Sequence, residues 1–348
     1  MTTAISQARA RALRVLTERP RRPRTAATAY GEQRTLKSAI ACKGTGLHSG
    51  ARVAMTLEPA APGTGIVFRR TDRPAAEADI PARFDAVADT RLCTVLANEA
   101  GTSIGTVEHL MAALRGCGVD NAVVALDGPE VPIMDGSAAP FVFLIECAGT
   151  VGQVEPRRVI RVLEPVEVVH GRGAEVRSAH LAPADAAVFD FDIAFDTAAI
   201  GRQSHRFELS DGAFKTELAD CRTFGFLAEV EQLRAAGLAR GGSLANAIVV
   251  DGDRVLNEEG LRRADEFVRH KILDAMGDLY LAGAPIIGAY AGDKAGHALN
   301  NALLRALFER PEAWCHETAP AEADAIAAPL PADYEDALAE PAPLKRTA

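Results

Sequence analysis

The stretch Phe267–Tyr280, FVRHKILDAMGDLY, constrains the fold more than any other, because a helix there sets His270, Asp274 and Asp278 along one stripe. Interleaved with them, Phe267, Val268, Ile272, Leu273, Met276 and Leu279 form an apolar face that must pack against a core. An imidazole and a carboxylate one turn apart can share a cation, and a helix that offers two such ligands calls for a third from elsewhere. An exposed His–Asp pair stabilises a helix by only about 0.2–0.5 kcal/mol, so the pattern alone fits a solvated face as well as a metal site.

A second segment, Thr106–Ala113, reads TVEHLMAA and predicts the first turns of an apolar helix that ends near Gly116–Gly118. Adjacent on that helix, Glu108 and His109 point in different directions, so His109 can ligate a metal while Glu108 reaches a water beside it. A surface pair explains the dipeptide equally well. Catalytic zinc sites typically hold about three protein ligands and one open position, a count that His109, His270 and Asp274 satisfy. Ala291–Asn301, AGDKAGHALNN, places His297 after a glycine, either as an acid beside an open site or as a helix-terminal residue that only packs. Asp220–Phe226, DCRTFGF, offers Thr223 as a donor to a developing oxyanion and Phe224 as an apolar wall, or is an ordinary turn.

Taken together, these segments resemble one family, the UDP-3-O-acyl-N-acetylglucosamine deacetylases, zinc amidases that commit material to lipid A synthesis. The resemblance rests on GTGLHSG at Gly44–Gly50, TVEHL at Thr106–Leu110, PIMDGSAAPFV at Pro132–Val142 and RTFGF at Arg222–Phe226. It continues through RVLNEEGLR at Arg254–Arg262, EFVRHKILDAMGD at Glu266–Asp278 and GHALNN at Gly296–Asn301, all in order.

The resemblance implies His109, His270 and Asp274 as ligands of Zn2+ and Glu108 as general base toward water. It implies Thr223 as a donor to the oxyanion, His297 as proton donor to the departing amine, and Asp278 as the group that keeps His297 charged. Lys271 and Lys294 match positions facing the diphosphate or substrate oxygens, Phe195 the ring that stacks on uracil, and Phe224 a wall residue. The substrate so implied is UDP-3-O-(3-hydroxyacyl)-N-acetylglucosamine, with acetate released. A site of two histidines and a carboxylate also accepts iron.

The composition agrees with a cytoplasmic enzyme. The 348-residue chain has room for two domains, and 48% hydrophobic with 24% charged residues is an ordinary globular balance. Its six cysteines form no CxxC pair and read as buried thiols in a reducing compartment. The formal net charge of -9 argues against nucleic acid as a general partner. No run long enough for a transmembrane helix is present; transient contact with a membrane surface is compatible with a lipid-linked substrate, and a monomer is expected.

Residues 1–33 are rich in arginine and are expected to form a disordered arm rather than a targeting segment, and 316–348, rich in Ala, Pro and acid, a flexible tail. Between them the expected fold is α+β, with a first domain over 34–150, a linker over 151–158 and a second domain over 159–315. Strands are predicted at Val53–Leu57, Ala122–Leu126, Val159–Val169 and Ala187–Phe195. Helices are predicted at Thr106–Arg115, Ala139–Ala148, Phe226–Ala236 and Asp265–Ala282. The family implies that the two halves fold alike, each a sheet packed on helices, with the site between them.

MDGSAAPF at Met134–Phe141 reads as a turn into a helix with Ser137 as a cap, and His48 in GLHSG is not assigned as a ligand. Leu227 and Leu233 are read as the core face of their helix, beside an apolar passage for an acyl chain.

Overall fold

The computed structural model describes residues 31–210 and 212–318. Helices and sheets are mixed in an α+β fold of two sheet-rich halves. In the first half, five strands lie in the order Ile40–Thr45, Arg52–Pro59, Ala122–Leu126, Ile66–Arg70 and Asp79–Pro81. The apolar Ala122–Leu126 sits centrally, antiparallel to Arg52–Pro59 and parallel to Ile66–Arg70, as expected of a strand buried on both faces. The second half has a seven-stranded sheet in which Ile286–Asp293 is central, parallel to Arg158–Val162 and Ala187–Ala194 and antiparallel to Arg177–Ala182.

Six α-helices occur among the described residues: α1 (Glu108–Gly116), α2 (Ala139–Ala148), α3 (Ala213–Glu217), α4 (Leu227–Ala235), α5 (Glu266–Tyr280) and α6 (His297–Phe308). α1 ends as its glycines suggest. Gly118 takes φ +67, which lets the Val119 N–H reach back to the Leu114 carbonyl at 2.9 Å. α5 is covered on nearly every side; Arg269 and Lys271 are the exceptions, and Arg269 closes a one-turn pair with Asp265 at 2.7 Å.

Helices α1 and α5 pack face to face and so join the halves. Their closest approach is at Gly277, where an added Cβ would lie 2.0 Å from the Glu108 carbonyl oxygen and 3.1 Å from the Ala112 nitrogen. The buried apolar residues of both halves form one continuous core that runs through this contact.

Several expectations are corrected. The segment read as a linker, 151–158, is mostly strand: Thr150–Pro156 pairs antiparallel with Glu32–Leu36. Its Gly, Pro and charge content is what an edge strand in a two-stranded ribbon tolerates. The expected arm and tail are likewise shortened, because Glu32–Leu36 and Trp314–Thr318 both lie in ladders; the rest of those expectations, 1–30 and 319–348, lies outside the described residues.

Val159–Val169 is two strands, Arg158–Val162 and Val166–His170, interrupted just before Val166 by Pro165, which has no N–H to give a ladder. α4 buries none of its residues, so Leu227 and Leu233 are only half-buried and do not form a core face. No helix among the described residues is long and apolar enough to cross a membrane.

Candidate active site

The three stripe residues of α5 are all buried, so each needs a partner. His270 Nδ1 lies 3.1 Å from the Cys221 carbonyl oxygen. A carbonyl only accepts, so Nδ1 carries the proton and Nε2 keeps its lone pair. That Nε2 is 3.4 Å from Asp274 Oδ1. Burial, together with the nearby His109 and Lys271, outweighs Asp274 and pushes the His270 imidazole down to about 4, so it is neutral at pH 7.

α1 delivers His109 to the same point, its Nε2 3.6 Å from Asp274 Oδ1. The ligand atoms of His109, His270 and Asp274 all lie within 4.8 Å of one another, a group that could hold a metal ion. Asp274 Oδ2 accepts from Lys271 Nζ at 2.8 Å, whereas Oδ1 is buried with no hydrogen-bond partner. Burial pushes the Asp274 carboxyl up, but His270 and Lys271 more than reverse this and hold it well below the usual carboxylate range. An orphaned buried carboxylate oxygen facing two imidazoles fits a cation at their centre.

One turn further along α5, Asp278 binds the imidazole at the start of α6: His297 Nδ1 lies 2.8 Å from Asp278 Oδ2. Asp278 also accepts from Thr94 Oγ1 at 2.6 Å and from Asn300 Nδ2 at 2.8 Å, and Tyr290 OH donates to Asn300 Oδ1 at 2.7 Å. The other imidazole nitrogen, Nε2, faces Glu108 Oε1 at 3.7 Å. Burial alone would lower the His297 pKa, yet Asp278 and Glu108 push it up to about 9. Glu108 sits in the first turn of α1, where its Oε2 accepts the Thr94 N–H at 3.1 Å, and burial pushes its carboxyl up. A carboxyl whose proton affinity burial raises, beside an imidazole held charged, is chemically suited to pair a base with an acid.

The 220–226 segment is tied to this cluster at two points. Cys221 holds the His270 ring, and the Phe224 ring centroid lies 6.3 Å from that of His270. Thr223 lies between them, its N–H donated to the Gly136 carbonyl at 2.8 Å. Gly136 takes φ +84, and a Cβ there would lie 2.1 Å from the Asn246 oxygen. The MDGS turn therefore does more than begin α2: it also seats Thr223. Behind it, the buried Arg222 guanidinium bonds Glu266 at 2.9 Å and Glu259 at 2.6 Å, fixing the segment to the first turn of α5.

The LpxC family, described as UDP-3-O-acyl N-acetylglycosamine deacetylase, matches residues 33–309. A UDP-3-O-acyl-N-acetylglucosamine deacetylase of Phenylobacterium zucineum (strain HLK1) is 55% identical over 282 residues, 81% of this chain and 95% of the relative. Proteins of the same name from Chromobacterium violaceum and Histophilus somni (strain 129Pt) are 52% and 50% identical, each over 81% of this chain and 92% of the relative. The chain belongs to this family.

In this member of the deacetylase family, Glu108, His109, His270, Asp274, Asp278 and His297 form one connected cluster, with Thr223 and Phe224 beside it. Lys271 reaches Asp274. Lys294 stands in the turn between Ile286–Asp293 and α6 at φ +50, its N–H donated to the Asp192 carbonyl at 2.8 Å. Phe195 follows the end of strand Ala187–Ala194 and packs on Phe224 and Phe226, ring centroids 5.8 and 5.7 Å away.

Reading the sequence missed Thr94 and Asn300, which complete the polar partners of Asp278, and Tyr290, which bonds Asn300 behind them. Asn300 alone carried a local signal, lying one turn after His297 on α6. His48 does not join the metal-type group; its N–H donates to Glu130 Oε1 at 2.9 Å, and both its ring nitrogens are buried without a partner.

Proposed function

We propose that this deacetylase-family chain is a zinc-dependent amidase that removes the N-acetyl group from UDP-3-O-(3-hydroxyacyl)-N-acetylglucosamine and releases acetate. The observation that carries this reading is the placement of Glu108 and His297 beside the His109–His270–Asp274 group, one carboxyl raised by burial and one imidazole held charged.

Amide hydrolysis needs an activated water, charge stabilisation on the carbonyl oxygen, and a proton for a poor amine leaving group. Zinc bound by His109, His270 and Asp274 supplies Lewis acidity toward the carbonyl and toward water. Glu108 takes the proton from the attacking water. Thr223 donates to the oxygen that gains charge, and His297 gives its proton to the departing nitrogen while Asp278 balances the imidazolium. Lys271 and Lys294 face substrate oxygens or the diphosphate, Phe195 stacks on uracil, and Phe224 forms an apolar wall. The acidic net charge supports a reading with no nucleic-acid partner, and a nucleotide-sugar substrate of the kind the relatives' names print is in keeping with a cytoplasmic site of action.

The test is acetate release from that substrate before chelation, after chelation, and after substoichiometric zinc is returned. Loss followed by recovery supports the reading; no acetate from folded, zinc-loaded protein sinks it. Recovery by iron but not zinc would reassign the metal alone. Equal turnover on substrate lacking the 3-O-acyl group would point to a different acylated amine.

A further inference from the structure

Glu130 is buried, and its carboxylate accepts four hydrogen bonds, all from uncharged groups. Oε1 takes the His48 N–H and the Thr106 hydroxyl, each at 2.9 Å; Oε2 takes the Ser49 N–H at 2.9 Å and the Ser49 hydroxyl at 2.7 Å. Each oxygen therefore holds one backbone N–H and one hydroxyl. The backbone of the same segment grips the chain just before α1, because the Gly105 N–H donates to Pro129 and the Gly105 carbonyl accepts from Val131, at 2.9 and 3.0 Å.

Both segments that bond this carboxylate, 48–49 and Thr106, lead toward the site. Thr106 takes φ +56, a conformation that β-branched residues rarely adopt and that persists only where its surroundings over-determine it. Glu108 and His109 follow directly. On the other side, the 46–50 turn is pinched between halves: a Cβ on Gly46 would lie 2.4 Å from Glu130 Oε2, and one on Gly241 would lie 2.2 Å from the Gly46 carbonyl oxygen. The 239–242 loop docks there through Gly241 N–H to Leu47 O at 3.0 Å and Arg240 N–H to His48 O at 3.3 Å.

We propose that Glu130 is a positioning residue, one carboxylate that sets both the start of α1, with Glu108 and His109, and the 46–50 turn on which the second half's 239–242 loop rests. This rests on the amidase reading for what α1 does. Glutamine cannot replace it, since its NH2 group would face a backbone N–H on either side, and a backbone N–H cannot turn to accept.

The test uses the full chain with Glu130→Gln, Thr106→Val, Thr106→Ser and Ser49→Ala. Each is measured for zinc affinity by chelator competition, for kcat and KM of acetate release, and for thermal midpoint. Glu130→Gln and Thr106→Val are expected to weaken zinc binding and lower kcat on the order of 10- to 100-fold, as loss of outer partners of a metal site does. Thr106→Ser, which keeps the hydroxyl, returns both toward the parent. Ser49→Ala is expected to raise KM severalfold with zinc affinity kept.

Variants that lower only the thermal midpoint, with zinc affinity, kcat and KM at parent values, overturn the proposal. If Glu130→Gln does not fold, the Thr106 pair decides. A parent that binds zinc yet releases no acetate fails the amidase reading instead, and chelator competition still tests Glu130.

Discussion

His297 and Asp278 meet at 2.8 Å across two helices, Nδ1 to Oδ2, while the far nitrogen of the same ring faces Glu108 at 3.7 Å. The pair sets the charge state of one imidazole, and the pH behaviour follows from it.

With His297 pushed up to about 9, the proton donor of the proposed mechanism persists through neutrality and is lost as pH rises through that value. Turnover should therefore fall on the alkaline side near pH 9, and fall on the acid side as Glu108 takes up a proton. Asp278→Asn removes a principal raising partner, so the alkaline limb should move to lower pH, by one unit or more. The stability sign agrees: the pKa lies above the ordinary value of 6.5, so this contribution is complete below about pH 6.5 and disappears as pH passes 9. Imidazole NMR titration of the metal-free protein, beside the pH–rate profile, checks both; an unmoved limb in Asp278→Asn would contradict the pairing.

Glu108→Gln should leave zinc bound and cut turnover on the order of 10²- to 10⁴-fold, the usual contribution of a general base. Asp274→Ala should instead empty the site, since it removes a ligand and leaves Lys271 without the oxygen it bonds at 2.8 Å. Metal analysis with single-turnover kinetics separates them. The assignment is reversed if zinc leaves with Glu108→Gln and stays with Asp274→Ala.

Gly277→Ala places a methyl 2.0 Å from the Glu108 carbonyl oxygen, a backbone atom that cannot turn aside. Moving α1 off α5 should cost about 1–3 kcal/mol and weaken metal binding, because His109 moves with α1. Calorimetry and chelator competition read the two effects; unchanged zinc affinity would show that the helices yield elsewhere.

Arg222→Met should destabilise the fold by about 3–5 kcal/mol, because it strands the fully buried Glu266. The double variant with Glu266→Met should regain much of that stability while turnover stays low, because Thr223 and Cys221 lose the anchor between them. Denaturant melts with parallel rates test this, and full recovery of turnover in the double variant would reduce the pair to a stability element.

The grouping of His109, His270 and Asp274 was legible because His270 and Asp274 share one helix turn and because His109 lies in one of a series of motifs that run in order. Ala122–Leu126 and Ala139–Ala148 were legible to the residue, since a short β-branched run and a compact apolar helix have well-marked ends. Thr94 was not, because its bond to Asp278 spans 184 positions and leaves no trace in local spacing. Leu227 and Leu233 misled for a related reason: periodicity says that a face is apolar, not that anything covers it. The ribbon at Thr150–Pro156 was hidden because its partner strand lies more than 100 residues earlier, in a stretch that looked like an arm.

The triad draws His109 from a helix of the first half and His270 with Asp274 from a helix of the second. Occupancy of such a site and docking of the halves are linked functions, each strengthening the other. A ligand confined to the docked state, at about a thousand times its dissociation constant, stabilises that state by about 4 kcal/mol. An ion held there would thereby also be a staple across the seam, and stripping it should loosen the α1–α5 contact before either sheet melts.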